Sequence, residues 1–422
     1  MVNNISDSIW FFTTFFIIYA GIYYTVKLKF PQFRLIKIIS SLKNKKGNNA
    51  FHILNLTLAG KIGVGSISGI ALCIFKGGIG SIFWLWISAL ILASLTYVET
   101  KLGTKYRTST NNGFIGGPSL YIENGLKKQT LAKIYSILII LTYIVAFISI
   151  QSNTIVISVQ NSFHLNKAVI VLILSIITFL SIYKGINTIS KITNFLVPIM
   201  GSLYILIGII IIINNFDASL NLLKEIVGCA LSKDGLKKSI LIPIIIGIER
   251  GIFSNEAGIG TTAMISSLSN ETNSDSLASL QIVGTFFTSL IICTITALII
   301  LTSNYQNFLT ANMNGIELVS MSLNEHFGTM GSNILTIIIF LFAFSTIVTS
   351  YYYGELNLKY LFKSNNLDTL LKIIVIIIIV YSSFTSPSLL WNIVDIFVAL
   401  ISIINIYAIL KLKKDDSLRS KK

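Results

Sequence analysis

Two stretches of this sequence set polar and flexible residues inside apolar surroundings. The first, LTLAGKIGVGSISGIALCIF over residues 56–75, carries Gly60, Gly63, Gly65 and Gly69 with one lysine, Lys61, among them. The second, IPIIIGIERGIFSNEAGIGTTAMI over 242–265, holds Glu249 and Arg250, then Gly251, Ser254, Asn255, Glu256, Gly258 and Gly260. Each makes a poor continuous helix. Glycine costs about 1 kcal/mol against alanine in a helix interior, and Ser and Asn compete for backbone hydrogen bonds. A segment that unwinds frees its own N–H and C=O groups, and those groups can bind a solute or an ion without any covalent step. In SNEAG, Asn255 reads as the cap of a fresh helix start with Glu256 in its first turn, beside the positive end of the dipole. Catalysis has no comparable signal. The chain shows no GxSxG, HExxH or paired intramembrane aspartates, so an enzyme is not expected.

The elements that must position these groups are helices in lipid. Of 422 residues 53% are hydrophobic and 12% charged, and a soluble protein of this length could not cover that much apolar surface. Apolar runs recur along the chain and predict an all-α, polytopic fold of about eleven transmembrane helices, near 8–26, 51–75, 80–104, 131–160, 168–183, 190–214, 239–267, 278–302, 332–358, 367–384 and 388–411. The first run is too long for a removable signal peptide and has no small-residue cleavage site after it. With the N-terminus outside, most of the 32 basic residues, the 27–46 segment and the KLKK…RSKK tail among them, fall on the inner side or near it. The positive-inside rule then gives an outside N-terminus and a cytoplasmic C-terminus in the cell membrane. The net charge of +15 is thus a topology signal with attraction to anionic lipid, and nucleic acid is not an expected partner. Cys73, Cys229 and Cys293 are too widely spaced for a disulfide framework or a zinc site.

Four plainer helices follow each interrupted segment, so the pair opens two five-helix halves. Five is odd, so the second half enters from the opposite side and the repeats are inverted. The expected organisation is an extra N-terminal helix and basic segment (1–50), a first repeat (51–215), a second, inverted repeat (239–411) and a basic tail (412–422). Interrupted helices at corresponding positions of inverted halves point to a transporter's binding site. Close helix packing through small residues is the alternative for Gly65 and Gly69.

The chain resembles the alanine/glycine:cation symporters, also called sodium:alanine symporters, of the amino acid–polyamine–organocation superfamily. The sharpest match is RGIFSNEAGIG (Arg250 to Gly260). GGIGSIFWLW from Gly77, Gly116-Gly117-Pro118, QSN at 151–153, LVPIM around Pro198, FAFSTIV with Ser345 and Thr346, YYYGE from Tyr351 and WNIVDIF from Trp391 support it. The resemblance implies a secondary transporter that imports small neutral amino acids by alternating access, coupled to sodium, with no other cofactor. The implied partners are the amino acid and the bilayer; oligomeric state has no signal here.

For the substrate, the resemblance implies N–H groups around Gly63 and Gly65 and after Asn255 for the carboxylate, with Ser66, Gln151, Phe253, Ser254 and Ser350 at the pocket. Carbonyls around Gly60, Ile62, Phe253 and Ser254 would face the ammonium or a cation. The implied sodium site comprises carbonyls near Gly60 and Ile62 and the hydroxyls of Ser345 and Thr346. The chain departs from the family at four places. Lys61 stands for a small polar residue, Ser66 for Asn, Thr288 for Asp, and Thr349-Ser350 for a GW pair. Ser350 in place of a large ring predicts a roomier pocket. Lys61 leaves three readings open: a tethered cation that makes transport sodium-independent, a proton-linked lysine, or a side chain in a watery vestibule with sodium bound nearby. Its expected partners are freed carbonyls with Ser345, Thr346 and Ser66. A sensor that binds an amino acid without moving it is the alternative of another class.

Glu249 and Arg250 are sequence neighbours and are expected to find separate partners. Glu99 and Asp395 are functional candidates as intramembrane charges. His52, His164 and His326 read as interfacial.

Overall fold

The structure, a computed structural model, describes residues 2–34, 48–110, 113–231, 241–270, 273–313, 315–362 and 367–418. Most of the basic 27–46 segment lies outside these residues, as do the start of the second repeat at 239–240 and residues 419–422 of the tail.

Helix α1 (Val2–Lys27) precedes the first interrupted segment, α2 (Asn48–Lys61) and α3 (Ser68–Gly77). Helix α4 (Gly80–Lys105) follows, then a short antiparallel ribbon of β1 (Thr108–Thr110) and β2 (Gly113–Ile115), in which Thr108 faces Ile115. Next come α5 (Gln129–Phe163), α6 (Lys167–Ile182) and α7 (Ile186–Asn214). The second interrupted segment is α9 (Leu241–Asn255) and α10 (Thr261–Ser267), preceded by α8 (Phe216–Leu231). Helix α11 (Ser274–Leu301), two helices α12 (Tyr305–Thr310) and α13 (Gly315–Phe327), and then α14 (Met330–Phe362), α15 (Leu367–Ser383) and α16 (Pro387–Lys411) complete the chain.

Seven of these helices are long and apolar enough to cross a membrane. The two interrupted segments, the shorter apolar helix α6 and the helix α15 occupy the remaining apolar runs of the sequence. Helices α8, α12 and α13 have no counterpart among the apolar runs, because polar residues such as Lys224, Glu225, Asn307 and Glu317 break their hydropathy.

Contacts fix which ends lie together. Lys27 Nζ donates to the Lys413 carbonyl and Lys105 pairs with Asp415 at 2.6 Å, so these basic residues share one face. Asp7, Lys76 and Asn392 line a cavity at the opposite face. Helix α1 packs on α4 and α16, with Trp10 Nε1 donating to the Asp395 carbonyl at 3.0 Å. The interrupted segments lie at the centre: α9 and α11 pack on α4, while α2 packs on α7 and α14. Nearly every residue from Ile53 to Ile74 and from Gly247 to Ser267 is buried.

Candidate substrate and cation site

Helical hydrogen bonding in α2 ends when Ile62 N donates to the Leu58 carbonyl at 2.7 Å. Gly63 is extended (φ −124°, ψ −159°), a short 3-10 turn covers Val64–Ser66, and α3 starts at Ser68. The carbonyls of Ala59 to Ile62 therefore lose their helical donors and can turn outward, while those of Gly63 and Val64 are taken by Ser66 N and Ile67 N. On α14, Ser345 Oγ lies 3.3 Å from the Ala59 carbonyl and 2.9 Å from that of Phe342. Thr346 Oγ1 lies 3.0 Å from the Ala59 carbonyl, 3.5 Å from that of Ile62 and 3.0 Å from that of Phe342. Three carbonyls and two hydroxyls converge with no charged side chain among them. An all-oxygen set of this kind suits a hard cation.

This arrangement corrects two expectations. The nearer carbonyl belongs to Ala59 rather than Gly60, because positions 59 and 62 are three apart and share one helix face. Gly60 has a packing role, since a Cβ there would come within 2.8 Å of the Tyr353 hydroxyl. Lys61 points elsewhere. It sits about 100° around the helix from Ile62, and its Nζ donates to Thr285 Oγ1 on α11 at 3.0 Å, not to Ser345, Thr346 or Ser66. Thr285 Oγ1 in turn lies 3.2 Å from Thr96 Oγ1 on α4. Lys61 is 2% exposed, so the vestibular reading does not describe its position.

Gln151 reaches the break from α5 and accepts from Val64 N through Oε1 at 3.0 Å. Gly63 must lack a side chain here: a Cβ would lie 2.6 Å from Thr346 Oγ1 and 3.1 Å from either amide atom of Gln151. Ser66 Oγ meets Ser254 Oγ at 3.2 Å, and Ser254 Oγ meets Cys293 Sγ at 3.0 Å, tying both interrupted segments to α11.

In the second segment Asn255 Oδ1 accepts from Ala257 N at 2.9 Å, and its Nδ2 donates to Ser289 Oγ at 3.1 Å. The amide of Ala257 is thereby taken from the Phe253 carbonyl, which is freed. The new helix does not start there. Glu256 (φ 53°), Gly258 (φ 88°) and Gly260 (φ 105°) are all left-handed, and α10 begins at Thr261 with Gly260 before it. Glu256 is thus in the unwound link rather than a first turn. Its carboxylate accepts from Tyr143 OH at 2.9 Å and Thr261 Oγ1 at 2.8 Å. Those bonds hold a non-glycine residue in a costly backbone region.

Phe253 covers the first break. Its ring stacks on Phe147 (centroids 4.9 Å, 15°) and leans on Trp391 (4.9 Å, 49°). The Arg250 guanidinium lies 5.0 Å from the Trp391 ring and pairs with Asp395 Oδ2 at 2.5 Å. It also pairs with Glu249, its own neighbour, because a long guanidinium side chain folds back where the Cβ directions diverge. Beyond Trp391 lies a cavity of about 410 Å³, bordered by Leu72, Asn153, Thr154 and Glu317, on the face opposite the basic residues. On the basic side, Lys101 bonds Asp275 at 2.5 Å, while a Cβ on Gly103 would fall 2.5 Å from the Ala263 carbonyl. The site is closed on both sides, with aromatic rings as the cover towards the cavity.

Ser350 is fully buried on α14 with no hydrogen-bond partner for Oγ among the described residues. Thr288 Oγ1 bonds the Gly284 carbonyl within its own helix. Several contributors were not singled out from sequence. Ala59 and Phe342 act through carbonyls, which side-chain identity does not advertise. Phe147, Tyr143 and Ser289 lie in π-helical turns, Leu141–Phe147 and Phe287–Ile292, whose extra residue re-aims side chains. Ala59 and Phe342 fell within quoted stretches, LTLAGKIG and FAFSTIV, without being singled out.

A profile of the sodium:alanine symporter family matches residues 1–418. The chain belongs to that family. It is therefore a multi-pass membrane transporter and not an enzyme. Similar proteins include the amino-acid carrier protein AlsT of Bacillus subtilis, 32% identical over 97% of this chain and 88% of AlsT. The probable sodium/glutamine symporter GlnT of the same organism is 35% identical over 93% and 84%. The sodium/alanine symporter AgcS of Methanococcus maripaludis is 30% identical over 98% and 94%. Among solved structures, MhsT with L-phenylalanine aligns at a TM-score of 0.65 with 13% identity, covering 86% of this chain and 88% of that one. A Na+-coupled sialic acid symporter aligns at 0.55 with 13% identity, covering 98% and 83%. These two establish the shared fold of inverted five-helix repeats with two interrupted helices.

Proposed function

We propose that this chain imports a small neutral amino acid in symport with sodium, with sodium bound by Ala59, Ile62, Phe342, Ser345 and Thr346. The oxygen cage where the first break meets α14 carries the reading. Lys61 is directed at α11, so the sodium-coupled form of the reading is favoured over a tethered lysine in the cage. The substrate carboxylate would lie at the N–H groups of Gly63 to Ser66, with Gln151 and Asn255 shaping the donors. Its ammonium would face the freed Phe253 carbonyl. The side chains bordering this space (Gln151, Ser66, Ser254, Phe147, Phe253) are uncharged, which favours a neutral substrate. AgcS and GlnT, named for alanine and glutamine, are consistent with that class.

By the positive-inside rule the basic face is cytoplasmic and the C-terminus lies inside, with the vestibule outside. The repeats at 51–215 and 239–411 then rock about the site, with Phe253 and Trp391 as the outer cover and the α4–α10 contact as the inner one. Uptake of labelled alanine, glycine and glutamine by reconstituted protein, with and without an inward sodium gradient, tests the reading. Accumulation of at least one of them above equilibrium, driven by sodium, is expected. Binding without accumulation or exchange would instead describe a sensor.

A further inference from the structure

A face of α7 stands between the cation cage and the substrate break. Pro198 lies inside α7, and Met200 and Tyr204 follow it, one helical turn apart on a single face. Met200 Sδ accepts from Ser345 Oγ at 3.7 Å, and the Tyr204 ring meets the Phe342 ring edge-on, with centroids 5.4 Å apart at 64°. Ser345 and Phe342 both belong to the oxygen cage. The Tyr204 hydroxyl reaches the other way, to Thr296 Oγ1 on α11 at 2.6 Å. Helix α7 lies this close to α11 because position 208 has no side chain: a Cβ there would fall 2.4 Å from Ile295 Cγ2. Tyr204, Thr296, Ser66 and Phe342 are all fully buried.

Thr296 carries one hydroxyl proton and has two carbonyls in reach: Ser66 in the first break at 2.8 Å, and Ile292 in its own helix at 3.0 Å. With that proton directed at a carbonyl, the Tyr204 hydroxyl is the donor to Thr296. The Ser66 carbonyl shares a rigid peptide plane with the N–H of Ile67, which donates to the Val64 carbonyl at 3.1 Å. Thr296 therefore holds the end of the Val64–Ser66 turn, whose beginning Gln151 holds at Val64 N. Release costs little, since the hydroxyl then bonds to Ile292 and no buried donor is orphaned. The latch thus has two arrangements, as a link between two sites requires. Pro198 removes one hydrogen bond of α7 just ahead of Met200 and lets the segment bearing Tyr204 tilt.

We propose that Tyr204 is a positioning residue that couples the two sites. Resting on Phe342, it follows the filling of the cage; through Thr296, it sets the turn that offers N–H groups to the amino-acid carboxylate. A cation draws the Phe342 carbonyl towards it and so settles the ring on which Tyr204 rests. By reciprocity, an amino acid that fixes the turn tightens sodium binding by the same factor. The inference rests on the sodium-symport reading above.

The test is equilibrium binding to the purified full-length protein of whichever of alanine, glycine and glutamine the wild type binds most tightly, in choline and in saturating sodium. Sodium affinity is read separately, from sodium-dependent thermal melts without amino acid. Sodium should tighten amino-acid binding at least about fivefold in the wild type. In Tyr204→Phe, which keeps the ring on Phe342, and in Thr296→Val, that factor should fall to about twofold or less. Sodium affinity in the melts should stay at the wild-type value in both, and Thr296→Ser, which keeps the hydroxyl, should retain the wild-type factor. A merely structural role would lower the melting temperature and leave the factor intact. Retention of the wild-type factor in either Tyr204→Phe or Thr296→Val, or a matching loss of sodium affinity in the melts, would overturn the proposal. Amino-acid binding that ignores sodium in the wild type would instead bring down the symport reading, an outcome the wild type alone decides.

Discussion

Gly65→Ala should jam the cover of the site. A Cβ at position 65 would lie 2.4 Å from Phe253 Cδ1 and 2.6 Å from Cε1. The ring cannot slide aside cheaply, because Phe147 is stacked on it and Trp391 packs against it, both with centroids at 4.9 Å. Overpacking a filled space costs about 1–3 kcal/mol. The penalty falls on the closed arrangement alone, since opening the cover removes the clash. At about 1.4 kcal/mol per tenfold, the closed state should become roughly 5- to 150-fold less populated. Initial uptake into proteoliposomes should fall by a comparable factor while the protein remains monodisperse. Phe253→Leu provides the check, since a smaller side chain makes room for the methyl group. A double-mutant cycle on uptake should then give a coupling of about 1 kcal/mol or more. Wild-type uptake in Gly65→Ala, or additive effects of the two changes, would refute the assignment of Phe253 as the cover.

Three further outcomes follow from the same geometry. Asn255→Leu removes the acceptor for Ala257 N and the donor to Ser289; a lost hydrogen bond costs about 1 kcal/mol, and substrate affinity measured by equilibrium binding should fall by more than thermal stability does. Ser350→Trp should narrow an uptake panel towards alanine and glycine if Ser350 borders the substrate, and an unchanged panel would remove it from the pocket. The third concerns Asp415, just beyond α16. Burial raises its pKa, but bonds from Lys105, Tyr106 and Ser417 outweigh that and hold it down at about 2. The depressed value means its stabilisation is complete above the unfolded carboxylate pKa of about 3.9 and is lost as pH falls through about 2. In Asp415→Asn a loss of up to about 1 kcal/mol after solvent screening should show in thermal melts at neutral pH. It should vanish in melts near the lower limit of that window.

Much of the architecture was legible because lipid imposes it. Apolar runs gave the crossings, and glycine clusters with interior charge marked both breaks at Gly63 and at Glu256–Gly260. Residue identity also pointed to Ser345 and Thr346, Gln151 and Asn255, each of which meets a broken segment. What stayed hidden depends on direction rather than identity. Nothing in the sequence tells that Lys61 points to Thr285 instead of Ser345, since that follows from where α2 stops winding. The cage carbonyls of Ala59 and Phe342 have no side-chain signature. Helices α8, α12 and α13 carry too many polar residues to stand out by hydropathy. Arg250 joining Glu249 as well as Asp395 was missed because spacing rules describe Cβ directions, not the reach of a guanidinium.

The proposed sodium cage is tested most directly by comparing sodium-driven amino-acid uptake in wild type and Thr346→Val across a sodium titration. Valine keeps the shape of threonine and removes one oxygen from the set around the Ala59, Ile62 and Phe342 carbonyls. A contact to a charged group is worth about 1.5–3 kcal/mol, so half-maximal uptake should require at least about tenfold more sodium, with the maximal rate approached at high salt. Equal uptake by wild type in sodium-free medium, or the same sodium dependence in Thr346→Val, would contradict the account.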